Sequence, residues 1–122
     1  MIDTGEPPCP QVSDMSSGYQ AVHCTTWGRA MELCQNIGLN LPVPRSAEEN
    51  EQIRGLSGGL HWRWLGIRFD GAWADFDGNP LNYHNWSENC VINDPHKTAV
   101  FMDKDGFWCT LSPSNDRNAL CI

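Results

Sequence analysis

The stretch Trp62-Arg63-Trp64-Leu65-Gly66-Ile67-Arg68-Phe69 decides the fold. It carries three aromatic residues together with Leu65 and Ile67, and it holds no proline and no acid. That composition predicts a central, mostly buried strand. Turn signals bound it, Ser57-Gly58-Gly59 before and Asp70-Gly71 after. Gly66 has no side chain to pack, and a glycine inside a strand marks a bulge or a close backbone approach. Helical patterns lie upstream and short strand patterns downstream. The expected class is α+β, with helices on one side of an antiparallel sheet.

Working upstream, Ser46-Ala47-Glu48-Glu49 is a capping box, in which Ser46 bonds the amide of Glu49 and Glu49 reaches back to the amide of Ser46. The helix it opens runs through Asn50 and Ile53 and stops at Gly55. Leu41-Pro42-Val43-Pro44 is extended, because each proline disfavours helix in the residue before it. Before that, Trp27, Ala30, Met31 and Cys34 fall at i, i+3, i+4 and i+7 of a helix capped by Thr25 or Thr26 and ended by Gly38. Cys34 sits on its apolar face, so it points inward, where it can pair with a core strand. A short hairpin is expected between Cys9 and Cys24, turning near Ser16-Ser17-Gly18, with Tyr19 to Val22 as its second strand. Residues 1–8 read as a polar, proline-containing tail or linker.

Working downstream, Asp70-Gly71 and Asp77-Gly78 are hairpin-type dipeptides flanking Ala72 to Phe76. Leu81-Asn82-Tyr83-His84-Asn85-Trp86 follows and reads as a core strand. Residues 87–97 lack periodicity and contain Asn93-Asp94-Pro95, so they form a loop. Thr98 to Met102 is a strand, Asp103-Lys104-Asp105-Gly106 a turn and Phe107 to Thr110 the returning strand. Residues 113–116 form another loop, and Ala119 to Ile122 close the chain as a strand.

At 122 residues the chain is expected to form one domain, over residues 9–122. Six cysteines with no Cys-x-x-Cys pair favour disulfides in an oxidising, secreted or extracellular setting, although six allow fifteen pairings. A net charge of −7 repels phosphate backbones, so nucleic acid is not an expected partner. No apolar run approaches the roughly 20 residues that span a bilayer, so no membrane insertion is expected. Met1 runs straight into Ile2-Asp3 with no signal peptide, which for a secreted protein implies a mature or excised form.

The order of these parts resembles the C-type lectin-like domain. That family has a Trp-x-x-Ala-x-x-x-Cys helix, here Trp27 to Cys34, and a Ser-x-x-Glu-Asn helix, here Ser46 to Asn50. Its Trp-Ile-Gly-Leu strand is similar to Trp64-Leu65-Gly66-Ile67, and its Gly-x-x-Leu-x-Tyr-x-Asn-Trp hairpin is similar to Gly78 to Trp86. Gly106-Phe107-Trp108 and a final Cys121 complete the series. The resemblance covers about residues 9–122. It implies two helices packed on small sheets, a long binding loop and disulfide bracing.

The departures bear on function. Calcium-dependent sugar binders of the family carry a Glu-Pro-Asn or Gln-Pro-Asp triplet in the long loop and Trp-Asn-Asp on the late strand, oxygens that suit a hard cation. Here the loop reads Ser87-Glu88-Asn89-Cys90-Val91-Ile92-Asn93-Asp94-Pro95, and Cys109-Thr110 follow Trp108. The family's usual second disulfide also lacks its cysteines. The resemblance therefore implies that a Cys90–Cys109 bridge replaces the calcium clamp, that Cys34–Cys121 joins first helix to last strand, and that Cys9–Cys24 closes the N-terminal hairpin.

The expected function is an extracellular binding module for a glycan or protein ligand, without the usual calcium-dependent sugar site. Its surface would be the 87–97 loop with the 103–106 turn and the 110–118 loop. The candidate contacts are Asn93, Asp94, His96, Asp103, Asp105, Trp108, Asn115 and Asp116. Convergence of Asn93, Asp94, Asp103, Asp105 and Asp116 on a weakly held calcium ion is the less favoured alternative, and no cofactor is expected. The four histidines, His23, His61, His84 and His96, show no zinc-ligand spacing. Asn85-Trp86-Ser87 is a glycosylation sequon, but its place at the end of a core strand favours a structural role for Asn85. No nucleophile–base or paired-carboxylate motif is recognisable, so no enzyme is expected. A structural module of a secreted matrix, coat or capsule is the alternative function.

Overall fold

The computed structural model describes residues 20–56 and 63–122. The tail, Cys9, the turn near Ser16-Ser17-Gly18, Tyr19, His61 and Trp62 lie outside the described residues. The elements run β1 (Gln20–Thr25), α1 (Trp27–Asn36), α2 (Ala47–Leu56), β2 (Arg63–Phe69), β3 (Trp73–Asp75), β4 (Ala99–Met102), β5 (Trp108–Leu111) and β6 (Arg117–Cys121). The described strands order as β1-β6-β2-β4-β5, with β3 on the far end of β2.

Both helices form where local chemistry places them. The Thr26 hydroxyl accepts from the Arg29 amide at 3.4 Å, and Trp27, Ala30, Met31 and Cys34 make the buried face of α1. Gly38, at φ 80°, ends α1: its amide donates to the Gln35 carbonyl, and the Leu39 amide reaches the Cys34 carbonyl at 2.9 Å. This paired closure needs a residue in the left-handed region, which glycine adopts without a steric penalty. At α2 the Ser46 hydroxyl accepts from the Glu49 amide at 3.1 Å. The Glu49 carboxylate, however, takes the amide of Arg45 at 2.9 Å rather than that of Ser46. The box is shifted one residue outward, still satisfying an amide ahead of the first turn.

β2 is buried on both faces from Arg63 to Ile67. Trp64 packs with Trp27, Met31, Phe101 and Ala119 on the α1 side. Leu65 and Ile67 pack with Ile53 of α2, Val100, Met102 and Trp108 on the other. Two-sided burial explains why β2 and β4 read as nearly continuous apolar runs. Both possibilities raised by Gly66 are realised. The β2–β4 register shifts between Trp64 and Arg68, and the Gly66 amide donates to the Pro42 carbonyl at 2.8 Å. A Cβ at Gly66 would lie 2.7 Å from the Phe76 ring and 2.9 Å from the Leu41 carbonyl oxygen.

Three expectations need correction. The helices do not share one side of the sheet: α1 packs on the Trp64 face of β2, and α2, through Ile53, on the Leu65 and Ile67 face. The strands are not all antiparallel: β2 pairs β6 in parallel at Arg63↔Asn118. No hairpin joins these two, so no tight turn forces opposite directions. Leu81–Trp86 is not a strand. Its segment meets the sheet only through isolated bridges at Pro80 and Trp86, the latter to Trp108. Two disulfides are complete among the described residues, Cys34–Cys121 and Cys90–Cys109, with Cα–Cα distances of 5.3 and 5.4 Å. Cys24 is also disulfide-bonded, and the expected pairing with Cys9 falls outside the described residues.

Candidate functional site: the long loop and the edge it covers

β5 ends the strand order, so one row of its backbone groups has no strand partner. An exposed strand edge invites unwanted pairing unless something covers it. Residues 85–91 do so. The Trp108 amide donates to the Asn85 carbonyl at 2.9 Å and the Ser87 amide to the Trp108 carbonyl at 2.8 Å. Further along, the Thr110 amide donates to Cys90 Sγ at 3.2 Å and the Thr110 hydroxyl to the Val91 carbonyl at 2.6 Å. The Cys90–Cys109 bridge fixes the same contact covalently. Past it, the Trp73 indole donates to the Ile92 carbonyl at 3.2 Å, and the Asp94 carboxylate closes a turn on the His96 amide at 2.9 Å.

This anchoring leaves Val91 and Ile92 outward, 53% and 37% exposed. Phe69, 39% exposed, stands on the Trp73 ring, which in turn meets Trp86 and then Trp108 at centroid distances of 5.2, 5.1 and 5.7 Å. The result is an aromatic series running from the surface at Phe69 into the core. Val91 and Ile92 are in the expected loop surface but not among its expected contact residues. Two adjacent apolar residues inside an otherwise polar loop were the available signal.

The predicted contact residues do not form one surface. Asn93 and His96 are exposed and Asp94 half-buried, all on the long loop, whose last residues meet β2 where the Phe69 amide donates to the Thr98 carbonyl. Asp103 and Asp105 lie at the other end of the β4–β5 hairpin. The register pairs Ala99 with Leu111 at the loop end and Met102 with Trp108 at the turn end, three residues or about 10 Å away. The Asp103 carboxylate is occupied by its own turn, accepting from the amides of Asp105 and Phe107 at 2.8 and 3.0 Å. Asn115 and Asp116 belong to the crossover that passes α1, where the Pro113 carbonyl accepts from the Trp27 amide. Convergence of these acids on one calcium ion is therefore not what the register builds. Among the described residues no three His, Cys, Asp or Glu side chains form a metal-ligating group.

Trp108 is a further correction. It is fully buried, and its indole donates to Asn50 Oδ1 at 2.7 Å, so its ring has no face for a ligand. Asn50 also donates to the Gly106 carbonyl at 2.9 Å, and the Asn85 amide reaches that same oxygen at 2.8 Å. Asn85 thus has a structural position although no strand carries it. On β3, Asp75 is buried. Burial raises its pKa, but bonds from the Asn79 amide, the Arg45 guanidinium at 2.9 Å and the Asp77 amide outweigh that and hold the carboxyl below its ordinary range.

A disulfide-braced α+β domain with a long, non-repetitive loop laid over a sheet edge defines a class of binding scaffold. Residues 23–122 match the Lectin C-type domain, and the chain belongs to that family. Solved structures agree on the fold. The mouse scavenger receptor C-type lectin carbohydrate-recognition domain is 21% identical with a TM-score of 0.75, over 93% of this chain and 94% of that one. A calcium-independent type II antifreeze protein is 23% identical with a TM-score of 0.74, over 93% and 92%. Herring type II antifreeze protein is 20% identical with a TM-score of 0.73, over 93% and 96%. Domains of this family are generally binding modules for glycans or proteins, and those with disulfides are typically extracellular. No helix among the described residues is long and apolar enough to cross a membrane.

Proposed function

We propose that residues 9–122 form an extracellular binding module that takes a protein ligand, without calcium, on the long-loop face. The observation that carries this is the outward Val91-Ile92 pair, on a backbone already fixed by Cys90–Cys109, Thr110 and the Trp73 indole, whose ring also meets the exposed Phe69. A clustered apolar surface rimmed by polar groups is the usual character of a protein-contact site. Asn93, Asp94 and His96 supply that rim. A stacked sugar would call for a broad exposed indole face, and Trp73 and Trp86 are half-buried while Trp108 is fully buried. A loop ordered before binding loses little entropy on association, which favours affinity.

The test is to screen the immobilised chain against extracellular proteins and a glycan array, each in calcium and in chelator, and to repeat any hit with Ile92→Asp. The expected result is a protein ligand held equally in both buffers and weakened tenfold or more by the substitution, a loss of about 1.4 kcal/mol or more. Binding that requires calcium, or that Ile92→Asp leaves unchanged, overturns the proposal. A glycan hit that survives chelator assigns the face to sugar instead.

A further inference from the structure

Arg68 is the one arginine of this chain whose guanidinium, among the described residues, has neither an ion pair nor a hydrogen bond. Arg29, Arg45 and Arg54 face Glu32, Asp75 and Glu51. Arg63 and Arg117 are buried and donate to the carbonyls of Arg54 and Asp116. Arg68 is exposed, and its guanidinium carbon lies 5.5 Å from the centre of the Trp27 ring. That ring is a rigid support: Trp27 is buried, and its indole donates to the Leu65 carbonyl at 2.7 Å. The β2 irregularity between Trp64 and Arg68 precedes this residue, and bulges re-aim the side chains that follow them. Arg68 and Trp27 line a cleft of about 200 Å³ with Gly28, Thr98, Ala99 and Pro113. Gly28 leaves its wall open, since a Cβ there would meet nothing within 4 Å.

We propose that this cleft binds the carboxylate of a small acidic ligand, with the Arg68 guanidinium as its fork and the Trp27 ring as its floor. A cation–π contact with the indole holds the guanidinium near the cleft while its N–H groups stay free of acceptors among the described residues, and that fork matches a carboxylate in two parallel hydrogen bonds. The cleft volume is below that of drug-sized pockets, so it suits an acid group on a single small body. The net charge of −7 opposes long-range attraction of an anion, so recognition is local. Successive strand residues face opposite sides, so Arg68 lies on the α1 side of β2 while Phe69 meets Trp73 on the other. The cleft and the loop face are separate, and this inference does not rest on the protein-ligand proposal.

The experiment is a titration of the full chain with sodium glucuronate, followed by NMR of the Gly28 amide, the Trp27 indole N–H and the Arg68 side-chain N–H, with glucose as the neutral control. Saturable shifts with glucuronate and none with glucose are expected. Arg68→Gln should weaken binding about tenfold or more, the effect of losing one charge-assisted pair. Gly28→Gln, which fills the cleft where there is room, should do the same with the unfolding midpoint retained. Ile92→Asp should leave glucuronate binding intact, which separates this site from the loop face. Absence of saturable shifts in the native chain, or an affinity for glucuronate unchanged in Arg68→Gln, overturns the proposal.

Discussion

Replacing Cys90 and Cys109 together by alanine tests how the long loop is held. The two residues are 19 apart in sequence, and in a chain-entropy account closing such a loop stabilises the fold by about 3 kcal/mol. The Cys34–Cys121 bridge, 87 residues apart, encloses this loop and stays in place, so the double variant should still fold. For a chain of this length each kcal/mol moves the midpoint by about 4 °C, which gives a drop of about 12 °C. Thermal unfolding followed by circular dichroism reads the global loss. Amide exchange locates it: the Thr110 amide, bonded to Cys90 Sγ, should lose protection along with the loop, whereas α1 and β6 should keep theirs below the midpoint. A drop under about 4 °C, equivalent to about 1 kcal/mol, or a loss of protection spread evenly over the molecule, would refute the idea that this bridge is the principal clamp on the loop.

Two further predictions concern the scaffold. Gly66→Ala should destabilise by about 1–3 kcal/mol, because its Cβ meets a backbone oxygen that cannot rotate away, whereas Gly55→Ala in α2, where a Cβ meets nothing, should stabilise by about 0.5–1 kcal/mol; midpoints of opposite sign in denaturant check both. Asp75 has a depressed carboxyl pKa in the folded state, so its contribution is full above the unfolded-state value of about 3.9 and is lost as pH falls through the folded value. Asp75→Asn should therefore cost about 1.5–3 kcal/mol at pH 7, and the gap from the native chain should close below about pH 4; a gap that does not change with pH would contradict this.

What could be read from the sequence was what depends on near neighbours. The α1 face, the Gly38 closure and the β2 strand each follow from residues within one or two turns of each other, and each is present. The Ser46 cap formed too, although Glu49 chose a different amide, since two adjacent N–H groups compete for one carboxylate. The site was less legible because it depends on register. Asp103 and Asp94 look equally suited to a shared ion, and only the pairing of Ala99 with Leu111 and Met102 with Trp108 shows that a strand length divides their loops. Trp108 reads from the sequence as a candidate contact, and only the bond of its indole to Asn50, 58 residues away, places it in the core. The Arg68–Trp27 cation–π contact likewise joins residues 41 positions apart through an irregularity in β2 that Gly66 hinted at but could not orient.

The covering of β5 links the fold to the proposed function. An edge strand must be covered or blunted, and here the covering segment belongs to the loop proposed to bind. The backbone bonds of residues 85–87 to Trp108, the bridge at Cys109 and the bonds of Thr110 to Cys90 and Val91 anchor it along β5, so the loop cannot leave the edge without breaking sheet-like bonds. A cation holding such a loop would make binding depend on the cation's concentration, since a bound ion stabilises only as ligand mass action allows. A disulfide has no such dependence. It does make the loop answerable to thiols, and Cys90 and Cys109 are each half-buried rather than sealed in the core. Loop order in this domain should therefore follow the redox setting and remain indifferent to chelator, whichever ligand the Val91-Ile92 face takes.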